Sequence, residues 1–168
     1  AVARALSTGT DRVVTVNPHE GRVCDFFSVP TASVDATPLL GEALPALDDP
    51  VFLAPDEGAA GLAETVCAAA GGGEVDYFTK TRYSGTEVEI EPNDVTVTDR
   101  DVVVVDDIVA TGSTMSEAIA VLDSPARVFV ACVHPLFAAS ARSKLAAAGV
   151  DAVYATDTIE RPVSTVSV

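Results

Sequence analysis

The sequence has 168 residues and a formal net charge of −15 at pH 7, with 48% apolar but only 5% aromatic residues. That length suffices for one ordinary domain whose core is built from Ala, Val and Leu. An acidic chain with two lysines, Lys80 and Lys144, lacks the basic footprint that nucleic-acid binding needs, and no apolar run has the length of a membrane span or the pattern of a signal peptide.

Taken in chain order, residues 2–8 read as the end of a helix and Arg12–Val16 as a strand. A turn at Asn17-Pro18-His19-Glu20 leads into a short helical piece ending near Phe26-Phe27. Residues 36–47 read as an Ala/Leu helix containing Pro45, and Val51–Ala54 as a short apolar strand. Ala59–Ala70 is helical and is stopped by Gly71-Gly72-Gly73. Val75–Phe78 is a strand, residues 79–85 read as a mobile polar loop, and Glu87–Ile90 alternates like a half-exposed strand. The run Val102–Val105 is a buried central strand, and a helix reaches about Leu122. Val128–Val133 is a strand, Ala138–Ala148 a helix closed by Gly149, Ala152–Ala155 a strand, and Val163–Val168 an edge strand. Apolar strands alternating with helices predict an α/β fold with a parallel sheet covered on both faces. Its strands are expected to end at Asp56, Asp106 and His134, and ligands of such sheets bind beyond the carboxyl ends of the strands.

Cys24, Cys67 and Cys132 are odd in number, far apart and set among apolar residues. That spacing suggests neither a disulfide framework nor a metal site, and a reduced cytoplasmic compartment is expected. The acidic, lysine-poor surface suits a salt-rich cytoplasm, because salt screens its self-repulsion.

Chemistry is concentrated in Val102–Met115. Adjacent acids after a buried strand, Asp106 and Asp107, are costly to desolvate without a partner. A sugar diol or a divalent metal would pair with them, and a solvated turn capping the next helix is the plainer alternative. The loop Ala110-Thr111-Gly112-Ser113-Thr114 offers hydroxyls and backbone N–H groups at a helix N-terminus, where an anion is favoured. Thr111 or Ser113 could equally serve as an ordinary N-cap. Gly112 permits close backbone approach, and the loop lacks the Walker A pattern. Acids for a diol beside a loop for a phosphate describe a ribose-5-phosphate site.

The string Val102–Met115 resembles the 5-phosphoribosyl-1-pyrophosphate (PRPP) motif of type I phosphoribosyltransferases. Thr15–Glu20 with Phe26–Pro30 resembles the strand-to-His segment of ribose-phosphate pyrophosphokinases, also called PRPP synthetases. Leu53–Ala59 resembles their S/A-P-D-x-G-A segment, and Lys80-Thr81-Arg82 their K-x-R catalytic loop. Val133–Phe137 and Thr156–Ile159 resemble two later landmarks, all in the family's order. Ala110 stands where several members carry an acid, as archaeal-like and transferase loops allow.

The resemblance implies a type I phosphoribosyltransferase-like fold and transfer of a diphosphoryl group from ATP to the 1-hydroxyl of ribose 5-phosphate, with Mg²⁺ and release of AMP. By matching position it implies that His19 and Asp56 hold the Mg·ATP assembly. It further implies that Lys80 and Arg82 stabilise the transferring group, that Asp106 and Asp107 bind the ribose hydroxyls, and that Ala110, Thr111, Gly112, Ser113 and Thr114 wrap the 5-phosphate. A homo-oligomer, dimer or hexamer, is implied as well. His134 reads as a strand-end residue that shapes the fold.

Family members are about twice as long and consist of two similar α/β domains. Residues 1–35 read as the remnant of a first domain, 36–161 as a second, and 162–168 as a closing strand returning to the first. The F-x-D/N-G-E loop and the Arg-Gln-Asp segment of the family are not found in this sequence. A fragment inactive in synthesis is therefore expected. The alternatives are a nucleobase phosphoribosyltransferase and a non-catalytic associate of an active synthetase. If the charge reflects adaptation to salt, the thermal unfolding midpoint rises as KCl is raised into the molar range. An unmoved midpoint would contradict it.

Overall fold

The computed structural model describes residues 1–82, 88–138 and 140–168, with backbone only for 80–82 and 88–90. The chain divides into two compact units, Ala1–Ala36 and Thr37–Val168.

The smaller unit contains helix α1 (Val2–Ser7), strand β1 (Val13–Val16), a 3₁₀ turn (Gly21–Phe26) and strand β2 (Thr31–Val34). β1 and β2 pair in parallel, from Val13 opposite Thr31 to Val16 opposite Val34. The sequence reading lacked β2. Asn17 closes the ladder with left-handed backbone at φ 34°. Its amide donates to Asp35 Oδ1 at 2.7 Å, and its Oδ1 accepts the Ala36 N–H at 2.7 Å. Asparagine tolerates that conformation because its short side chain bonds locally.

The larger unit is an α/β sandwich. Its elements are α2 (Thr37–Ala43), β3 (Val51–Ala54), α3 (Ala60–Ala69), β4 (Glu74–Arg82), β5 (Val88–Pro92), β6 (Asp101–Val109), α4 (Ser113–Ala120), β7 (Arg127–Pro135), α5 (Ala141–Ala147), β8 (Ala152–Thr156) and β9 (Ser164–Val166). They form a seven-stranded sheet in the order β5-β4-β3-β6-β7-β8-β9. Neighbours pair in parallel except β4 with β5. β9 pairs with β8, and the closing segment belongs to this unit.

From β3 the chain crosses through α3 to β4, then returns to the other side of β3 as β6 and continues outward to β9. Right-handed crossovers running in opposite directions place α2 and α3 on one face and α4 and α5 on the other. In agreement, α2 packs on α3 and α4 on α5. Side chains of a strand alternate between faces. Val51, Leu53, Val102, Val104, Val128, Val130 and Cys132 accordingly share one core cluster with Met115 and Ile119 of α4 and Leu145 of α5. Each such fully buried aliphatic side chain contributes roughly 1.5–3 kcal/mol.

Four expectations about element ends are corrected. β6 does not stop at the acids but continues to Val109, because Ile108 and Val109 stay in register with His134 and Pro135 of β7. β7 likewise runs past His134. Thr79–Arg82, expected in a loop, continue β4 as a ribbon with β5, Lys80 opposite Ile90 and Arg82 opposite Val88. Residues 83–87 of the expected loop lie outside the described residues. The helix expected over 36–47 ends at Ala43, before Pro45, which has no N–H to give to a helix.

Asp101, 1% exposed at the start of β6, is a buried carboxylate. It accepts Arg127 Nε at 2.9 Å, a second bond from Arg127 Nη2 and the Asp48 N–H at 2.7 Å. The Arg127 guanidinium holds its carboxyl below the usual carboxylate range. α2 meets α3 at Gly41, where an added Cβ would lie 2.4 Å from the Val66 carbonyl oxygen and 2.7 Å from Ala69 Cβ. Backbone cannot yield as a side-chain tip would. Gly41→Ala should therefore destabilise the fold by about 1–3 kcal/mol in urea unfolding, and an unchanged midpoint would show that the two helices can separate freely.

Candidate active site

The sheet's direction of winding reverses between β3 and β6, and the crevice beyond the carboxyl ends of such a strand pair is where open α/β sheets bind ligands. Here it is a cleft of about 200 Å³ lined by Pro55, Asp56, Asp106 and the continuous segment Ile108–Met115. Sequence-distant candidates Asp56 and Asp106 thus meet because β3 and β6 are hydrogen-bonded neighbours, Leu53 opposite Val104.

Asp106 continues the alternation of Val102 and Val104 and so belongs to the face that carries α4 and α5. It sits opposite Cys132 of β7 in the ladder. Its Oδ1 accepts the Asp107 N–H at 2.9 Å. Burial pushes the Asp106 carboxyl up to about 7, and the neighbouring carboxyl of Asp107 and the charge of Asp56 add to the shift. Burial and the Asp106 charge push the Cys132 thiol up to about 12, so it stays protonated. Among the described residues no cationic side chain bonds the Asp106 carboxyl, whose pKa is raised rather than lowered. Asp56 is exposed and caps the 3₁₀ turn Glu57–Ala59, accepting the Ala59 N–H at 3.2 Å.

The loop after β6 needs its glycine. Gly112 has φ +71°, and an added Cβ would stand 3.2 Å from the Ala141 carbonyl oxygen and 3.3 Å from Ala141 Cα. Gly112, rather than Thr111 or Ser113, is the N-cap of α4, and Thr111 Oγ1 accepts the Ser113 N–H at a long 3.5 Å. Thr111 Oγ1 also donates to Ser113 Oγ at 3.2 Å. The loop is held from behind by the segment after β7. Phe137 N–H donates to Val109 O at 3.0 Å and Ala138 N–H to Ala110 O at 2.9 Å. Lys144 Nζ of α5 donates to Ser113 Oγ at 2.6 Å. The sequence reading gave Lys144 no role, although it is one of only two lysines, the compositional signal that singled out Lys80.

β4 leaves the parallel sheet after Tyr77, the last residue paired with β3. Lys80 and Arg82 therefore belong to the antiparallel ribbon that continues beyond that carboxyl edge. His19 lies in the smaller unit, exposed, between β1 and the 3₁₀ turn. His134 bonds through Nδ1 to Thr158 Oγ1 at 2.9 Å, and Thr156 and Thr158 both donate to Val133 O, at 2.6 and 2.9 Å. Two distant sequence landmarks are thereby joined at the ends of β7 and β8. Among the described residues no three or more His, Cys, Asp or Glu side chains cluster to hold a metal ion. Mg²⁺ typically takes one or two carboxylates and completes its shell with waters and substrate phosphates, a role the carboxylate oxygens of Asp56 fit.

The chain is 65% identical, over 99% of its length, to a ribose-phosphate pyrophosphokinase of Halobacterium salinarum, covering 60% of that protein. It is 43% identical over 96% of its length to a ribose-phosphate pyrophosphokinase of Methanothermobacter thermautotrophicus, covering 57%. The chain thus spans about 60% of the length of these relatives. A crystal structure of phosphoribosylpyrophosphate synthetase from Mycobacterium smegmatis superimposes with a TM-score of 0.80 at 28% identity, over 99% of this chain and 58% of that one. The model of the phosphoribosyl transferase domain matches residues 45–164, which include every residue lining the cleft. By that match, and by a cleft at the reversal point of its sheet, the chain belongs to the phosphoribosyl transferase domain family.

Proposed function

We propose that this protein is a ribose-phosphate diphosphokinase, which joins the β,γ-diphosphoryl group of ATP to the 1-hydroxyl of ribose 5-phosphate and releases PRPP and AMP. The observation that carries the reading is the switch-point cleft, where Asp56, Asp106 and a loop turning through left-handed Gly112 line one small space. Likeness to relatives of that name over nearly the whole chain supports it.

In this reading Asp106 and Asp107 accept hydrogen bonds from the ribose hydroxyls and fix the sugar. Loop residues Ala110–Thr114 donate backbone N–H and hydroxyl hydrogens to the 5-phosphate at the start of α4, where the helix dipole favours an anion. The 1-hydroxyl is then presented to the β-phosphorus of ATP. The O–P bond to the sugar forms, the bond to the AMP oxygen breaks, and the hydroxyl proton is lost. Little covalent help is needed, and positioning with charge stabilisation carries such transfers. Lys80 and Arg82 supply that charge from the β4–β5 ribbon. Mg²⁺, when bound, would neutralise the phosphates, and Asp56 is assigned to hold it. Work in a salt-rich cytoplasm as a homo-oligomer completes the proposal.

The test is incubation of the full-length protein with ATP, Mg²⁺ and ribose 5-phosphate, reading AMP and PRPP. Formation of both supports the assignment. Conversion only of PRPP with a nucleobase, or binding without turnover, would overturn it. Lys80→Ala should lower kcat by about 10²–10³ with a much smaller change in ribose 5-phosphate binding, as expected for a group that acts mainly in the transition state.

Asp106 gives a second expectation, and its sign can be worked out. A carboxyl whose folded pKa lies above its unfolded value favours the fold fully below the unfolded pKa. That contribution is lost as pH rises through about 7. Asp106→Asn mimics the protonated form, so at pH 8 it should exceed wild type in stability by on the order of 2–4 kcal/mol. The gap should close by pH 4, while the KM for ribose 5-phosphate rises. Equal stability at both pH values would show that the Asp106 charge is solvated.

A further inference from the structure

Lys144 lies on α5, away from the residues that line the cleft, yet its ammonium makes a 2.6 Å bond to Ser113 Oγ, inside the loop assigned to the 5-phosphate. Ser113 Oγ also accepts from Thr111 Oγ1 at 3.2 Å. A serine hydroxyl has two acceptor lone pairs and one hydrogen. With both lone pairs occupied, the hydrogen has only the remaining direction, and Ser113 is a residue that lines the cleft. Among the described residues no acceptor takes that hydrogen. An ammonium donor also polarises the hydroxyl it bonds to, which strengthens the hydroxyl as a donor in turn.

The backbone makes this placement firm. Ala138 N–H bonds Ala110 O at 2.9 Å, and Gly112 lies against Ala141 closely enough that a Cβ would meet its backbone at 3.2 Å. α5 meets the loop at Ala141 and Lys144, and the residue Ala138 before it adds a backbone bond; of these contacts the Lys144 bond alone carries charge. In a chain of net charge −15 with two lysines, a half-buried lysine spent on one serine has a different effect from a solubilising surface charge.

We propose that Lys144 is a positioning residue of the phosphate subsite: it orients the Ser113 hydroxyl as a donor to the ligand's phosphate and sets a positive charge behind the loop. This inference rests on the phosphate reading of the loop given above. It does not depend on which donor or which reaction the site serves.

The full-length protein is titrated with inorganic phosphate, and KM and kcat are measured for ribose 5-phosphate and ATP, in wild type, Lys144→Met, Lys144→Arg, Ser113→Ala and the Lys144→Met/Ser113→Ala double variant. Lys144→Met should weaken phosphate binding and raise the KM for ribose 5-phosphate by roughly tenfold. The KM for ATP and kcat should stay within about twofold, and Lys144→Arg should recover most of the loss. Because Lys144 acts through Ser113, most of the Lys144→Met effect should vanish in the Ser113→Ala background. An unchanged phosphate affinity, or the same loss in both backgrounds, overturns the proposal and leaves the functional assignment standing. Phosphate binding that depends on Lys144 without PRPP formation supports this proposal and removes that assignment. If wild type binds no phosphate, both fall. Should Lys144→Met not fold, the Lys144 ammonium resonance of wild type is followed during the phosphate titration, where a saturating shift supports the role and an unmoved signal overturns it.

Discussion

Parallel pairing of β3 with β6 is the constraint on which the rest of the larger unit depends. Both strands are apolar because both faces of the sheet are covered, and their ladder fixes Leu53 opposite Val104. The chain leaves β3 toward β4 and leaves β6 toward β7. The two exits diverge, and the gap between them opens at the carboxyl end. Asp56 and Asp106 are each displaced only a few residues beyond their buried runs, so they reach that gap together. Neither acid is near the other in sequence. Their meeting is a property of strand order.

The electrostatics of that gap work against the fold and in favour of a ligand. Asp106 is pushed up to about 7 by burial and by the neighbouring carboxyls, whereas Asp101, equally acidic and more deeply buried, is held low by Arg127. Both carboxylates lie on one strand. Among the described residues one has a cationic partner and the other has none. A half-buried acid whose charge no cation offsets is a stability loss that a sequence retains at a site of function, and a sugar diol is a partner that would relieve it.

Much of this was legible in the sequence. Four valines before paired acids, followed by Thr-Gly-Ser-Thr, located the strand, the acids and the loop; Asp106 and the loop fell in one cleft with Asp56, whose lining does not include Asp107. The alternation of apolar strands and helices gave the layered α/β architecture, although its sheet is mixed at β5 rather than wholly parallel. Element ends were less legible. β6 continues through Asp106 and Asp107 because ladder bonds to β7 persist past them, and no local residue preference reports a partner strand. β2 was hidden for the same reason, since Thr31–Val34 is a strand by virtue of β1. Lys144 was hidden differently. Its rarity was visible, but its proximity to Ser113 exists only once α5 packs against the loop.

The two ends of the sheet carry a consequence of another kind. Its outermost strands are β5, whose sequence Val-Glu-Ile-Glu-Pro includes two acids and a proline, and β9, only three residues long. An open sheet edge is a template for another strand, and charge, proline and brevity are the devices that blunt it. Pro92, opposite Phe78 in the ladder, has no N–H to offer an incoming chain. In a protein whose central strands β3, β6 and β7 are rich in Val, Leu and Phe, those few residues oppose strand addition between molecules during folding.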